Sequence, residues 1–250
     1  MSEHILETRG LTKRFQGFTA VGGVDLRITR GTIHALIGPN GAGKSTVFNL
    51  ITKFIEPSSG VIKYKGVDIT AARPEDIALK GIVRSFQISA VFPHLTVLEN
   101  VRIALQRPLG NWFKFWQSEK TLESLHGQAE ELVGAVGLAE FSQNLAGSLS
   151  YGRKRALEIA TTLALEPDLM LLDEPTAGMS LEDVARIAAL IKTVARNRTV
   201  LMVEHNLSVV AKLCDKITVL SRGSILAEGK YEDVARNAEV RAAYLGSGHA

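Results

Sequence analysis

Short apolar runs recur along the chain and predict strands that are buried on both faces. Nearly every residue of each run is hydrophobic, which is typical of strands inside a parallel sheet. The runs lie at residues 33–37, 169–172 and 200–203. Two other segments, 5–9 and 24–28, alternate between polar and apolar residues and predict half-exposed strands of a small antiparallel layer. Two further strand-like runs flank a turn near residues 220–225 and predict a late hairpin.

Helical patterns separate these predicted strands. One apolar stripe recurs at the spacing of a single helix face, and it consists of Val184, Ile187, Ala188, Ile191 and Val194. Strands that alternate with helices indicate an α/β fold. Residues 88–160 contain no buried-strand run but do contain helical segments such as 121–136, so we predict a mainly helical insert there. The chain, 1–250, is then one domain, with a core and β layer at 1–87 and 161–250.

Composition narrows the possible functions without identifying one. The 29 Lys and Arg residues nearly balance the 26 Asp and Glu residues, and no block of like charges occurs, so we expect no nucleic-acid partner. No apolar run reaches the roughly 18 residues that span a bilayer. The first residues lack the pattern of a secretory signal, so we expect a cytoplasmic protein. The single cysteine, Cys214, excludes an internal disulfide framework, and we expect it to be a small buried helix residue.

A glycine-rich segment lies between the predicted strand at 33–37 and a helix predicted over 46–53. Its sequence, Gly38-Pro39-Asn40-Gly41-Ala42-Gly43-Lys44-Ser45, fits the pattern G-x-x-x-x-G-K-[ST]. Glycines let successive backbone N–H groups converge on phosphate oxygens, and the start of a helix favours negative charge. We expect Lys44 to reach the β- and γ-phosphates and the Ser45 hydroxyl to ligate Mg²⁺. The segment predicts a site for a magnesium-nucleoside triphosphate, with contacts that extend to Thr46.

Two successive carboxylates follow the apolar run at 169–172. A triphosphate site of this kind needs a carboxylate at the end of a neighbouring strand, and we expect Asp173 to hold the magnesium shell. Glu174 comes next and is expected to polarise a water for in-line attack on the γ-phosphorus. Such a base indicates hydrolysis and disfavours a non-catalytic binding module. A GTPase is also disfavoured, because neither N-K-x-D nor D-x-x-G occurs in the sequence.

A third motif, Leu149-Ser150-Tyr151-Gly152-Arg153, precedes Asp173, and with it the chain resembles the nucleotide-binding subunits of ABC transporters. The family pattern is LSGGQ, so Tyr151 replaces a glycine and Arg153 replaces the glutamine. Ser150 and Gly152 are placed where a helix predicted over 155–165 begins, with free N–H groups for an anion. The resemblance implies a RecA-like P-loop NTPase core with an antiparallel β subdomain and a helical insert. It also implies that Ser150 and Gly152 contact the ATP of a partner subunit in a head-to-tail dimer. A small-molecule P-loop kinase would not need these two residues before its second carboxylate, so that class is disfavoured.

The resemblance assigns roles to further residues. Phe15 resembles the aromatic residue that stacks on adenine, and His205 resembles the histidine that contacts the γ-phosphate. Gln87 resembles the glutamine that contacts magnesium or water and links the site to the helical insert. The implied catalytic residues are therefore Glu174, His205, Gln87 and Lys44, and the implied metal-binding residues are Ser45, Gln87 and Asp173. Ser180 stands where the family often has an aspartate.

The kind of ABC subunit is suggested by three further features. A single P-loop without coiled-coil heptads favours transport with separate membrane subunits over a soluble translation or repair machine. Residues 106–127, Tyr151 and the ending 240–246 resemble the branched-chain amino-acid uptake group, although urea importers and the lipopolysaccharide-export ATPase remain alternatives. The implied partners are two transmembrane permeases, a second ATPase subunit that is the same or a different chain, and indirectly a periplasmic solute-binding protein. We expect a peripheral location at the cytoplasmic face of the inner membrane.

An aromatic segment at 112–116 has three open interpretations. It contains Trp112, Phe113, Phe115 and Trp116 around Lys114. The side chains form a packed corner, a docking surface for membrane subunits, or a contact with lipid.

Overall fold

The computed structural model describes residues 3–85, 91–106 and 119–245 of the 250-residue chain. Within these ranges the strands are β1 (His4–Phe15), β2 (Phe18–Val24), β3 (Arg27–Thr29), β4 (Ile33–Ile37), β5 (Ser59–Tyr64), β6 (Val67–Asp68), β7 (Ile82–Ser85), β8 (Leu169–Asp173), β9 (Thr199–Val203), β10 (Lys216–Ser221) and β11 (Ser224–Gly229). The helices are α1 (Lys44–Ile51), α2 (Pro74–Leu79), α3 (Val97–Gln106), α4 (Glu119–Ala135), α5 (Tyr151–Leu163), α6 (Leu181–Val194), α7 (Leu207–Leu213), α8 (Tyr231–Arg236) and α9 (Ala238–Leu245).

A six-stranded sheet with the order β11-β10-β4-β9-β8-β7 forms the centre of the fold. The neighbouring strands β10, β4, β9, β8 and β7 are parallel to one another. Strand β11 forms an antiparallel hairpin with β10. The three predicted apolar runs are β4, β8 and β9, and their apolar side chains are buried. The late hairpin is also confirmed. Because β4, β9 and β8 are parallel neighbours, the segments that follow them meet at one edge of the sheet.

The predicted antiparallel layer is a second sheet, with the order β2-β1-β5-β6 and with β3 also paired with β1. The segment 5–9 is confirmed as part of β1. The single strand predicted over 24–28 is wrong, because β2 ends at Val24 and β3 begins at Arg27. Between them, the Thr8 N–H donates to the Leu26 carbonyl at 2.8 Å, but the Leu26 N–H donates to Thr8 Oγ1 at 2.9 Å and not to a backbone carbonyl, which interrupts the regular strand pairing.

The central sheet is buried on both faces by two hydrophobic clusters. Ala35 of β4 belongs to the cluster that contains residues of α3, α4, α5 and α6. Leu36, the next residue, belongs to the cluster that contains α1 and the antiparallel sheet. Successive side chains of a strand point to opposite faces, so one apolar strand supplies both clusters. The continuous apolar runs in the sequence are explained by this two-sided burial.

Two helices begin earlier than their apolar periodicity predicts. Helix α1 begins at Lys44 rather than at residue 46, because Gly43 has a φ of 101° and turns the chain directly into the helix. Helix α5 spans Tyr151–Leu163 rather than 155–165, and extended Ser150 occupies its N-cap position. The first turn of α5 is largely polar and gives no periodic apolar signal. Both helices therefore begin at the motifs that were predicted to bind phosphate.

Three remaining predictions concern single segments. Cys214 lies one residue beyond α7 and is partly buried, so its placement within a helix was wrong. Gln87 and the aromatic segment at 112–116 lie outside the described residues. In the described part of the chain, no helix has the length and apolar character required to cross a bilayer.

Candidate nucleotide-binding and hydrolysis site

The loop between β4 and α1 is shaped by close contacts that exclude side chains at two glycines. A Cβ atom on Gly38 would lie 2.1 Å from the Leu220 carbonyl oxygen, and one on Gly43 would lie 2.6 Å from the Ala20 carbonyl oxygen. Both glycines also have positive φ values, 150° and 101°. The Gly223 N–H donates to the Ala42 carbonyl at 3.0 Å and fixes the loop against the late hairpin. The loop is thus held in one shape by its neighbours.

Lys44 is the first residue of α1, and its ammonium group is turned back over the loop. Nζ donates to the carbonyl oxygen of Gly38 at 2.8 Å and to that of Pro39 at 3.0 Å. Burial lowers the pKa of Lys44, while the negative charges of Glu174 and Asp173 oppose this shift. A desolvated cation at the start of a helix attracts an anion more strongly than one in water does.

A cleft of about 430 Å³ opens above this loop. It is lined by Phe15, Phe18, Thr19, Ala20, Asn40, Gly41, Ala42, Gly43, Lys44, Ser45, Thr46, Glu174, His205 and Arg222. The structure therefore brings together the predicted loop residues 40–46, Phe15, Glu174 and His205. Gly38 and Pro39 do not line the cleft, but their carbonyl oxygens accept hydrogen bonds from the Lys44 ammonium, which does.

An aromatic pair forms one wall of the cleft. The rings of Phe15 and Phe18 lie 5.6 Å apart between centroids and are inclined by 28°. Phe18 is 62% exposed and Phe15 is 41% exposed, so their faces are open to a planar ligand. Lys13 Nζ lies 5.2 Å from the Phe15 centroid. Sequence reasoning missed Phe18, because only the direct pairing of Phe15 with Phe18 across the β1–β2 hairpin places the rings together.

Asp173 ends β8, and its carboxylate forms an ion pair with Arg84 of β7. The same guanidinium donates to Asn49 Oδ1 at 2.6 Å, and it lies 5.6 Å from the centroid of the Phe48 ring. Arg84 therefore links Asp173 to α1, the helix that begins at Lys44. Sequence reasoning missed Arg84, and only the parallel pairing of β7 with β8 reveals that it lies beside the carboxylate.

Glu174 and His205 are brought together by the adjacency of β8 and β9. His205 Nε2 lies 2.9 Å from Glu174 Oε1. An ionised carboxylate can only accept hydrogen bonds, so with Glu174 ionised the donor in this contact is Nε2–H. Glu174 has a φ of 44°, and its N–H donates to the Val203 carbonyl at 2.9 Å. Both side chains are partly exposed to the cleft, as a base and its partner require.

A buried carboxylate that sequence reasoning missed fixes the loops that carry Glu174 and His205. Glu204 is 2% exposed and accepts the backbone N–H groups of His205 at 2.8 Å and Asn206 at 2.9 Å. Its other oxygen accepts the Thr176 N–H at 3.0 Å and the Thr176 hydroxyl. One side chain thus ties the loop after β9 to the loop after β8.

The donor groups present suit a hard cation that is shared with a phosphate ligand. Ser45 offers a hydroxyl and Asp173 a carboxylate, and oxygen donors of these kinds are the ligands that Mg²⁺ prefers. Among residues 3–85, 91–106 and 119–245, no group of three or more His, Cys, Asp or Glu side chains is placed to hold a metal.

Ser150 and Gly152 do not line the cleft of their own chain. Ser150 is exposed at the start of α5, and Gly152 packs so closely on α6 that a Cβ atom would lie 2.7 Å from Asp183 Cγ. Ser180 caps α6 and accepts the Asp183 N–H at 3.2 Å. The guanidinium of Arg153 lies 3.9 Å from the centroid of the Phe141 ring, to which it is bound by a cation–π contact.

Two known protein families match parts of this sequence. The family described as "ABC transporter" matches residues 21–177, which include the glycine loop, the LSYGR motif, Asp173 and Glu174. The family described as "Branched-chain amino acid ATP-binding cassette transporter" matches residues 224–250. The resemblance inferred from the motifs is confirmed by both matches.

Three similar proteins cover nearly the whole chain. The high-affinity branched-chain amino acid transport ATP-binding protein BraF of Pseudomonas aeruginosa is 40% identical over 98% of this chain and 99% of its own. The ADP conformation of the ATP-binding cassette MJ1267 is 30% identical, with a TM-score of 0.87 over 98% of this chain and 100% of that chain. The dimeric post-hydrolysis state of MJ0796, bound to ADP and Pi, is 25% identical, with a TM-score of 0.76 over 90% of this chain and 98% of that chain.

The fold, the cleft and these comparisons agree with one another. The parallel sheet with its antiparallel layer and helices is the P-loop NTPase fold that was expected. The cleft is lined by the glycine-rich loop on one side and by Glu174 and His205 on another. The chain therefore belongs to the ABC transporter family, as an ATP-binding subunit that hydrolyses ATP.

Proposed function

We propose that the chain powers the import of branched-chain or other amino acids, working as one of two ATPase subunits beneath two transmembrane permeases. The match of residues 224–250 to the branched-chain description carries this proposal, because that segment lies outside the general cassette match at 21–177. The full-length similarity to BraF supports it. The proposed location is the cytoplasmic face of the inner membrane, with a periplasmic solute-binding protein that delivers the solute.

The proposed division of the chain assigns catalysis and coupling to different parts. Residues 1–87 and 161–250 form the catalytic core with its β layer, and residues 88–160 form a helical subdomain. The described helices of that subdomain, α3, α4 and α5, pack on one face of the central sheet, which supports this division. Gln87, at the junction, is proposed to contact the metal shell or water and to link the site to the helical subdomain.

Binding of ATP is proposed to use the two walls of the cleft. Adenine stacks on Phe15 and Phe18, whose ring faces are exposed. The triphosphate lies over the N–H groups of residues 40–46, and Lys44 exchanges its carbonyl partners for β- and γ-phosphate oxygens. The loop needs no rearrangement of its glycines for this, since its shape is already fixed by contacts with β2 and β10.

Ser45 and Asp173 are proposed to hold Mg²⁺, with phosphate oxygens completing the shell. The bound ion neutralises charge on the phosphate oxygens. Asp173 keeps its orientation through Arg84, because one oxygen of the carboxylate accepts from that guanidinium. Ser45 lies in the first turn of α1, next to the ammonium-bearing Lys44.

Hydrolysis is proposed to begin when Glu174 accepts a proton from a water that attacks the γ-phosphorus. The bond from that phosphorus to the β,γ-bridging oxygen breaks, giving ADP and inorganic phosphate. His205 holds Glu174 Oε1 through Nε2, so the second oxygen of Glu174 remains to accept the water proton. This supports the role of base for Glu174 and of orienting residue for His205. The γ-phosphate contact of His205 is proposed from the family resemblance alone.

Dimerisation is proposed to complete the site. Ser150 lies at the exposed start of α5 and away from its own cleft, which leaves it open to the triphosphate of another subunit. The similar cassette MJ0796 forms a dimer in a state bound to ADP and Pi. Closure of two chains on two nucleotides and reopening after hydrolysis would then drive the permeases through an alternating cycle.

Reconstitution tests this proposal directly. The chain, its genetically adjacent permeases and any adjacent second cassette are placed in proteoliposomes with the solute-binding protein outside and ATP inside. We expect ATP-dependent accumulation of labelled leucine and no accumulation with Glu174→Gln in every cassette that carries the base. Accumulation of urea instead of leucine, or release of a lipid-linked saccharide, would contradict amino-acid import and support the alternative systems.

A further inference from the structure

The peptide unit that joins Asp173 to Glu174 is held from two sides. Its carbonyl oxygen, on Asp173, accepts a hydrogen bond from Arg155 Nη2 at 2.5 Å. Its N–H, on Glu174, donates to the Val203 carbonyl at 2.9 Å. Val203 belongs to β9, whereas Arg155 belongs to α5, the helix that begins at the LSYGR motif. The unit immediately before the base is therefore attached to the sheet and to that helix.

Glu174 depends on this attachment because its backbone is in an unfavourable conformation. Its φ of 44° lies in the left-handed region, which residues with a Cβ atom rarely adopt. Such a conformation persists only when surrounding contacts impose it. The two hydrogen bonds on the preceding peptide unit are contacts of this kind, and they determine the direction in which Glu174 enters the cleft.

Arg155 is itself fixed by a buried ion pair. Its Nη1 donates to Glu158 Oε2 at 2.6 Å, and the two residues are only 3% and 1% exposed. Burial raises the pKa of Glu158, and the charge of Arg155 opposes this shift. The planar guanidinium thus bridges two acceptors, one on its own helix and one on β8, which a compact lysine ammonium cannot reproduce with the same geometry.

The same helix connects two different nucleotide sites. Ser150 and Gly152 at its start are proposed to contact the partner's ATP. At 1.5 Å per residue, Arg155 lies about 7.5 Å from Ser150 and about 4.5 Å from Gly152 along the helix axis. We propose that Arg155 is a positioning residue that ties the LSYGR helix to Glu174 of the same chain. Contact of this helix with the partner's nucleotide then sets the orientation of the base in the chain's own site. This coupling between sites rests on the dimer of the proposed function, whereas the positioning of Glu174 does not.

Arg155→Lys tests the positioning role without removing the buried charge. Lysine keeps a cation beside Glu158 but loses the bridge to the Asp173 carbonyl. We expect turnover at saturating ATP to fall by about 10- to 100-fold, as for a misplaced catalytic group, while the Kd for a fluorescent ATP analogue changes by less than about twofold. Arg73→Lys, at an exposed arginine that pairs with Asp76, is the matched control and keeps wild-type turnover.

A second variant separates positioning from folding. Arg155→Met combined with Glu158→Leu removes both buried charges together, which a protein core tolerates better than the loss of one partner. We expect this variant to fold with a melting temperature near that of the wild type and to show the same loss of turnover as Arg155→Lys. Turnover of Arg155→Lys within twofold of wild type would overturn the positioning role. So would a loss of turnover that a weaker ATP affinity fully accounts for.

Mixed pairs of differently tagged copies test whether Arg155 acts on the base of its own chain. When one copy carries Arg155→Lys and the other Glu174→Gln, the remaining base belongs to the Arg155 variant, and we expect turnover to fall as in the variant alone. When one copy carries both substitutions, the remaining base lies in the wild-type copy. We then expect the same turnover as for a pair of one wild-type copy and one copy that carries Glu174→Gln alone. The reverse pattern would overturn the proposal. Absence of any ATP-dependent pair would contradict the dimer of the proposed function and leave the single-chain comparison standing.

Discussion

Glu174 Oε1 and His205 Nε2 lie 2.9 Å apart, although 31 positions separate the two residues in the chain. The contact exists because β8 and β9 are parallel neighbours, so the residues that follow them leave the sheet side by side. The buried Glu204 carboxylate then holds the loop after β8 and the loop after β9 together through four hydrogen bonds. The contact between Glu174 and His205 thus follows from the order of the strands in the sheet.

Lys44→Ala should weaken ATP binding. The substitution removes a buried ammonium that is proposed to donate to phosphate oxygens, and hydrogen bonds to charged groups contribute about 1.5–3 kcal/mol, so we expect the Kd to rise by at least about tenfold. Titration with a fluorescent ATP analogue measures this. Lys80→Ala, at an exposed lysine after α2, is the control. An unchanged Kd for Lys44→Ala would contradict the assignment of the glycine loop as the triphosphate site.

Phe18→Ala should reduce affinity for ATP while leaving turnover at saturating ATP nearly unchanged. Stacking of a base on an aromatic ring contributes about 1–3 kcal/mol, so we expect the Kd to rise by roughly 5- to 100-fold. Phe15→Ala should behave in the same way, because the rings form one wall. Val67→Ala, at an exposed apolar residue of β6, provides the comparison. If affinity for ADP and ATP survives both aromatic substitutions, adenine does not stack on this wall.

The sequence predicted the parts of this site that depend on local pattern. The glycine loop, the apolar strands and the Asp173–Glu174 pair were identified because each motif is continuous along the chain. Phe18, Arg84 and Glu204 were missed, because their roles arise from pairing between distant strands or loops. The first turns of α1 and α5 were missed for a different reason, since their starts are set by Gly43 and Ser150 at the N-cap positions and not by apolar periodicity.

Buried His34 should make folding stability depend on pH. Its Nε2 lies 2.8 Å from Thr218 Oγ1, and burial lowers its pKa from 6.5 to about 4. Below pH 6.5 the unfolded chain binds a proton that the folded chain does not bind until about pH 4, so stability falls as pH is lowered through this window. At 1.36 kcal/mol per pH unit, the loss from this group reaches about 3 kcal/mol.

Urea unfolding at several pH values between about 7 and 4.5 checks this effect. We expect the free energy of unfolding of His34→Gln to depend less steeply on pH than that of the wild type. His126→Gln, at an exposed histidine of α4, should retain the wild-type slope. Equal slopes for the wild type and His34→Gln would show that this buried histidine does not set the acid limit of stability.

The central claim is that Glu174 is the base for ATP hydrolysis in the cleft formed by the glycine loop and His205. The most direct test measures phosphate release and ATP affinity side by side for the wild type and Glu174→Gln, whose amide keeps the shape of the side chain but cannot accept the water proton. We predict that release falls by roughly 10²- to 10⁴-fold while the Kd for ATP changes by less than about threefold. Phosphate release at the wild-type rate by Glu174→Gln would contradict the account.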